Sequence, residues 1–104
     1  MIITNTETVP GKEIGEVLGV VRGSTVRARN VGRDLFAGLK NIVGGEITEY
    51  TRLLADAREQ ALQRLEQEAQ GLGADAVVNI RITTSAVMQG SSEILIYGTA
   101  VKLK

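Results

Sequence analysis

The chain has 104 residues, 43% of them hydrophobic and 23% charged, with 12 basic and 12 acidic groups and a net charge of zero. That balance suits one globular domain over residues 1–104, and it lacks the basic surface that general nucleic-acid binding or a polybasic membrane contact draws on. There is no cysteine and no histidine, which excludes disulfides, thiolate nucleophiles, Cys/His zinc sites and the commonest general base near neutral pH.

No apolar run has the length of a membrane span, and Met1-Ile2-Ile3 starts no signal peptide. A cytoplasmic location is the default expectation. Charge is segregated along the chain. Residues 1–45 hold six basic and four acidic groups, residues 46–75 three and seven, and residues 76–104 three and one.

Residues 2–4 suit a short edge strand. Pro10-Gly11 marks a turn over residues 6–11. Residues 14–22 follow with apolar side chains on both parities, as in a strand covered on both faces. Gly23 reads as an interruption, a bulge or turn. Residues 24–29 then alternate, with Ser24, Val26 and Ala28 on one face and Thr25, Arg27 and Arg29 on the other. Asn30 can cap a short helix over about residues 31–42, with Gly44-Gly45 redirecting the chain beyond it.

Residues 46–70 form the clearest amphipathic helix. Ile47, Tyr50, Leu54, Ala57, Ala61, Leu65, Ala69 and Leu72 recur at spacings of three and four, with Leu53 and Leu62 widening the stripe. At 1.5 Å per residue such a helix is about 38 Å long. A compact domain of this size has a radius of gyration of about 13 Å, so the helix is expected to cross the whole body. Gly71-Leu72-Gly73 closes it.

Residues 76–86 alternate as a strand, with Ala76, Val78, Ile80 and Ile82 on one face and Val77, Asn79, Arg81, Thr83 and Ser85 on the other. Residues 88–92 read as a connection. Residues 93–103 are the last strand and pair most simply as a hairpin with the one before. Both its faces are apolar: Leu95, Tyr97, Val101 and Leu103 on one, Ile94, Ile96 and Ala100 on the other. The fold class is α+β: N-terminal strands, a short then a long helix, and a C-terminal β-hairpin. A chain this short has few elements to cover the second face, so contact between copies of the chain is expected there.

The search for chemistry is short. Residues 38–45 place Lys40 among glycines but lack the order of a phosphate loop and follow a helix, so they read as a hinge. Arg22, Ser24, Arg27 and Arg29 form the densest basic patch. Such a patch can hold an anionic ligand or meet acidic groups of the long helix on a neighbouring subunit. No aromatic is interleaved with it, which argues against single-stranded nucleic acid. Carboxylates are the only strong metal ligands, and no metal site is assigned. Without histidine, no serine stands beside an activating base in a recognisable motif, and the chain reads as a non-enzyme.

Residues 7–11 (ETVPG), 16–28 (EVLGVVRGSTVRA), 38–47 (GLKNIVGGEI), 73–81 (GADAVVNIR) and 93–101 (EILIYGTAV) closely resemble the YbjQ-like family. The resemblance covers nearly the whole chain. It implies a compact α+β subunit of the dodecin-like class, assembling into a ring, a pentamer. The family carries a heavy-metal-binding label, but heavy metals favour thiolate and imidazole, and this chain offers only the thioethers of Met1 and Met88.

The function read from the sequence is therefore an uncharacterised non-enzymatic homo-oligomer. Its partner is itself, its cofactor is unknown, and a small ligand would bind at subunit junctions near Arg22, Ser24, Arg27, Asn41, Gly44 and Gly45. One alternative is a hard cation held by Glu46, Glu49 or Asp75 from several chains. Another is an enzyme with an active site between subunits.

Overall fold

In the computed structural model of the protein, the described residues are 1–27, 42–43, 46–88 and 91–104, with side-chain surroundings for 1–26, 51–86 and 91–104. The elements are β1 (Ile2–Ile3), β2 (Ile14–Arg27), β3 (Ile42–Val43), β4 (Glu46–Ile47), α1 (Thr48–Gly71), β5 (Ala76–Met88) and β6 (Ser91–Leu103). The main sheet has the order β1-β5-β6-β2, and β3 and β4 form a separate two-stranded pair. β6 runs antiparallel to both β5 and β2, while β1 lies parallel to β5 at the edge. The expected C-terminal hairpin is present, but its connection is shorter than residues 88–92. Met88 still belongs to β5, and Ser91 already belongs to β6.

β2 is one strand of 14 residues, not two. Gly23 neither turns nor bulges: it sits in continuous register opposite Ile96. It is glycine because α1 lies on it. A Cβ there would fall on the Ala61 carbonyl oxygen and the Leu65 amide nitrogen. The bulges lie nearer the start of β2, between Ile14 and Glu16 and between Val17 and Gly19.

Two hydrogen bonds fasten the same crossing. The buried Thr25 hydroxyl donates to the Ala57 carbonyl at 3.0 Å, and Arg64 Nη1 donates to the Ser24 carbonyl at 2.6 Å. Ala57, Ala61, Leu65 and Ala69 are fully buried along one side of α1 and pack with Val21, Val77, Ile94, Ile96 and Ala100. Alanines at three of these four helix positions let the backbone approach the sheet. Each large side chain buried here, such as Leu65 or Ile96, contributes about 1.5–3 kcal/mol by leaving water.

The helix begins at Thr48, not Glu46, because Glu46–Ile47 pair with Ile42–Val43. Ile42, expected at the end of a short helix, is thus a strand residue. The rest of that expected helix, residues 31–41, lies outside the described residues. At the other end Gly73 takes a left-handed conformation (φ 76°), the Ala74 amide bonds to the Ala69 carbonyl and the Gly73 amide to the Gln70 carbonyl. This is a Schellman close. It leaves Leu72, placed on the apolar stripe by its spacing, 47% exposed. With 24 residues α1 is about 36 Å long. It does not cross the whole body, whose longest dimension is 53 Å and whose radius of gyration is 16.8 Å.

β5 departs from its expected alternation. Its register slips between Val78 and Arg81, and Asn79 adopts a left-handed conformation (φ 57°). Asparagine tolerates that conformation better than most residues. The bulge is held by the N-terminal segment, which accepts Asn79 N–H on the Thr6 carbonyl and Ile80 N–H on the Thr4 carbonyl. One extra residue swaps faces. Ala76 and Val78 point away from the helix, and Ile80 joins the helix-side core.

Three substitutions test this packing. Gly23→Ala is expected to cost about 1–3 kcal/mol or more, because helix backbone must move, and to lower the urea midpoint. Gly71→Ala, with open space at its Cβ, is expected to change stability by less than about 1 kcal/mol. Ile96→Asp places a carboxylate in the core and is expected to abolish the helical circular-dichroism signal at 25 °C.

Candidate functional site

The face of the sheet opposite α1 is covered at one end only. There Val9, carried by the segment between β1 and β2, packs on Ala76, Val78 and Val101, flanked by Ile2, Ile14 and Leu103. Beyond that cover, none of the described residues packs over the face. Period-two alternation from the helix-facing Val21, Gly23 and Thr25 assigns Val20, Arg22, Ser24 and Val26 to it. Across β6 these residues stand opposite Thr99, Tyr97, Leu95 and Glu93. From β5, Arg81 is also opposite Tyr97, and Thr83 opposite Leu95. Val20, Val26 and Tyr97 are 61%, 56% and 39% exposed.

Of the residues singled out from the sequence, Arg22 and Ser24 are brought together on this face, beside Tyr97 and Leu95. Arg22 is exposed. The Ser24 carbonyl is taken by Arg64, which ties this part of β2 to the helix. Arg27 is the last residue of β2, opposite Ser92. Asn41, Gly44 and Gly45 lie outside the described residues, as does Arg29.

Arg81 is the member of this face that the alternation misplaced, since the Asn79 bulge returns it to the side of Val78. Its guanidinium Nη1 donates to the Ile80 carbonyl at 2.8 Å and the Asn5 carbonyl at 3.3 Å. The side chain is therefore held toward the β1 edge, away from Arg22. The only local signal was Asn79 itself, a residue suited to a bulge.

The surface of α1 away from the core carries Asp56, Glu59, Gln60 and Gln63, beside an open concavity of about 330 Å³. Among the described residues no three Asp, Glu, His or Cys side chains gather as a metal site. Asp75, one carboxylate considered for a hard cation, accepts the Leu103 amide on Oδ2 at 2.9 Å. The Glu46 and Glu49 side chains lie outside what is described. No helix among the described residues is long and apolar enough to cross a membrane.

The family described as "Putative heavy-metal-binding" (YbjQ) matches residues 1–104. The chain belongs to this family. A UPF0145 protein of Archaeoglobus fulgidus is 64% identical over 104 residues, spanning 100% of this chain and 96% of its own length. One from Colwellia psychrerythraea is 62% identical, spanning 100% and 99%. These names state no activity. A protein of unknown function from Pediococcus pentosaceus has a crystal structure similar to this chain, with a TM-score of 0.66 at 18% identity, covering 100% of this chain and 98% of that one. That likeness supports the α+β fold of a single small domain.

The buried hydroxyl that anchors β2 beneath the candidate face can be tested. Thr25→Val keeps the shape but leaves the Ala57 carbonyl without this donor. It is expected to destabilise the protein by about 1–2 kcal/mol, read as a lower midpoint in chemical denaturation.

Proposed function

We propose that the chain works as a non-enzymatic homo-oligomer, a pentameric ring as the family resemblance implies, whose copies meet over the bare face of the sheet. A small ligand would sit at the subunit junctions, near Arg22 and Ser24, with Arg27, Asn41, Gly44 and Gly45 as the remaining candidates. One observation carries the reading: Val20, Val26 and Tyr97 are exposed on a face that, among the described residues, neither α1 nor the N-terminal segment covers. Large apolar side chains left exposed together on one face mark an interaction site. Supporting it, the long, narrow subunit has a radius of gyration of 16.8 Å, against about 13 Å for a compact domain of this length.

The heavy-metal description of the family finds little to stand on in this chain. Soft ions favour thiolate and imidazole, and the sequence has neither. Titration with zinc or cadmium, followed by calorimetry, is expected to show no saturable binding at micromolar concentration. Tight binding would revive that description.

The assembly is tested by native mass spectrometry on untagged protein taken directly from cells. A ring mass is expected, and added mass on it would identify the ligand class. Tyr97→Asp is expected to shift the protein to smaller species while its helical circular dichroism stays unchanged. A wild-type monomer would overturn the reading.

A further inference from the structure

The segment between β1 and β2 is held at its two ends and by one side chain between them. At the first end, the bulge of β5 occupies three consecutive carbonyls: Ile80 N–H donates to Thr4 at 3.1 Å, Arg81 Nη1 to Asn5 at 3.3 Å and Asn79 N–H to Thr6 at 2.8 Å. At the other end, the Glu13 carbonyl accepts the Lys104 amide at 2.8 Å, and the Glu13 carboxylate faces the Lys104 ammonium at 3.8 Å. Between these anchors, among the described residues, no hydrogen bond joins residues 7–12 to the sheet. The bonds made there stay within the segment, from the Thr6 hydroxyl to the Thr8 carbonyl and from the Lys12 amide to the Val9 carbonyl.

Val9 is the one buried side chain in this stretch, while Glu7, Thr8, Pro10, Gly11 and Lys12 are all exposed. It fills a socket whose floor is Ala76, Val78 and Val101. Gly11 turns the chain beside it at φ 79°, with open space where a Cβ would be. A segment with a single buried apolar side chain and a solvent-facing backbone belongs to the least stable part of a fold, and each residue it frees regains conformational entropy. Burying one valine favours the closed form by a factor of only about 10–100. A small domain as a whole favours folded over unfolded by about 10³–10⁸.

We propose that residues 7–12 are a flap that opens on its own, lifting Val9 out of its socket while the sheet, the helix and both anchors stay in place. Open, it lays bare Ala76, Val78 and Val101 and lengthens the uncovered part of the sheet face toward β1. Val9 is therefore a gate on an apolar socket, and the bulge at Asn79 is the clasp that keeps the hinge in position. The flap belongs to one subunit and needs no second copy to open or close.

Thiol labelling tests the flap directly, since the chain has no cysteine of its own. Val101→Cys places a thiol under the flap and Val21→Cys places one under α1, and both positions are fully buried. In excess Ellman's reagent under native conditions, Val101→Cys is expected to react at least about tenfold faster than Val21→Cys. Its rate should hardly change in low urea, because the opening exposes little surface, whereas the Val21→Cys rate should climb steeply as global unfolding sets it. Ala76→Cys is a second reporter under the same flap, should the first variant fail to fold, and the same rate and slope are expected of it. The Asp75 amide, bonded to the Val101 carbonyl at 2.9 Å, tells flap from sheet: in hydrogen exchange on the wild type it should open far less often than the thiol becomes reactive. Equal labelling rates with equal urea slopes would overturn the inference. An Asp75 amide that opens as often as the thiol reacts would overturn it too, since the strands themselves would then be parting.

Discussion

The structure depends on how closely α1 approaches β2. Gly23 has no side chain because helix backbone occupies that space, and the helix is lined with alanine at Ala57, Ala61 and Ala69 for the same reason. At such a distance the helix polar groups cannot be left unanswered, since a buried donor or acceptor without a partner costs about 1–3 kcal/mol. The Thr25 hydroxyl on the Ala57 carbonyl meets part of that demand. The approach also fixes where the helix is not. It lies over β2 and β6, leaves β5 with Ile82 54% exposed, and covers only one face of the sheet.

That one-sidedness is what makes the opposite face interesting. The segment carrying Val9 closes it near Val101 and Val78, but its reach ends there. An antiparallel sheet can leave one face in water when that face is polar. Here the uncovered part mixes Val20, Val26, Leu95 and Tyr97 with Arg22, Ser24, Thr83, Glu93 and Thr99. The physical tension is between a subunit that folds around one helix and a strand, β6, whose alternation supplies two apolar faces.

Much of this was legible in the sequence. The two faces of β6 followed from simple alternation, and Ile96 and Tyr97 fall on opposite sides as their spacing requires. The long helix followed from its apolar period. Arg22 and Ser24 were legible only as members of one basic patch, and their common face depends on Gly23 staying in register. What escaped has a common cause: it is set by partners distant in sequence. Gly23 looks like a chain break until a helix is placed above it. Asn79 looks like an ordinary strand residue until the Thr6 carbonyl claims its amide. That single bulge moved Arg81 across the sheet. Ile42 was assigned to a helix by a local apolar pattern, yet it pairs with Ile47.

The order of the sheet has a consequence for how the chain is made. β6 is the central strand joining β2 and β5, and of the four strands of the main sheet it is made last. Arg22 pairs with Tyr97 and Val21 with Gly98. At about 5–20 residues per second, β2 therefore emerges several seconds before the strand it must bond to. During that interval its backbone has no neighbour in the main sheet, because β1 pairs only with β5. α1 emerges in between and can dock on Gly23 and Thr25 first. The helix that holds the finished subunit together is thus placed to shield a long, sticky strand from neighbouring nascent chains until its true partner arrives.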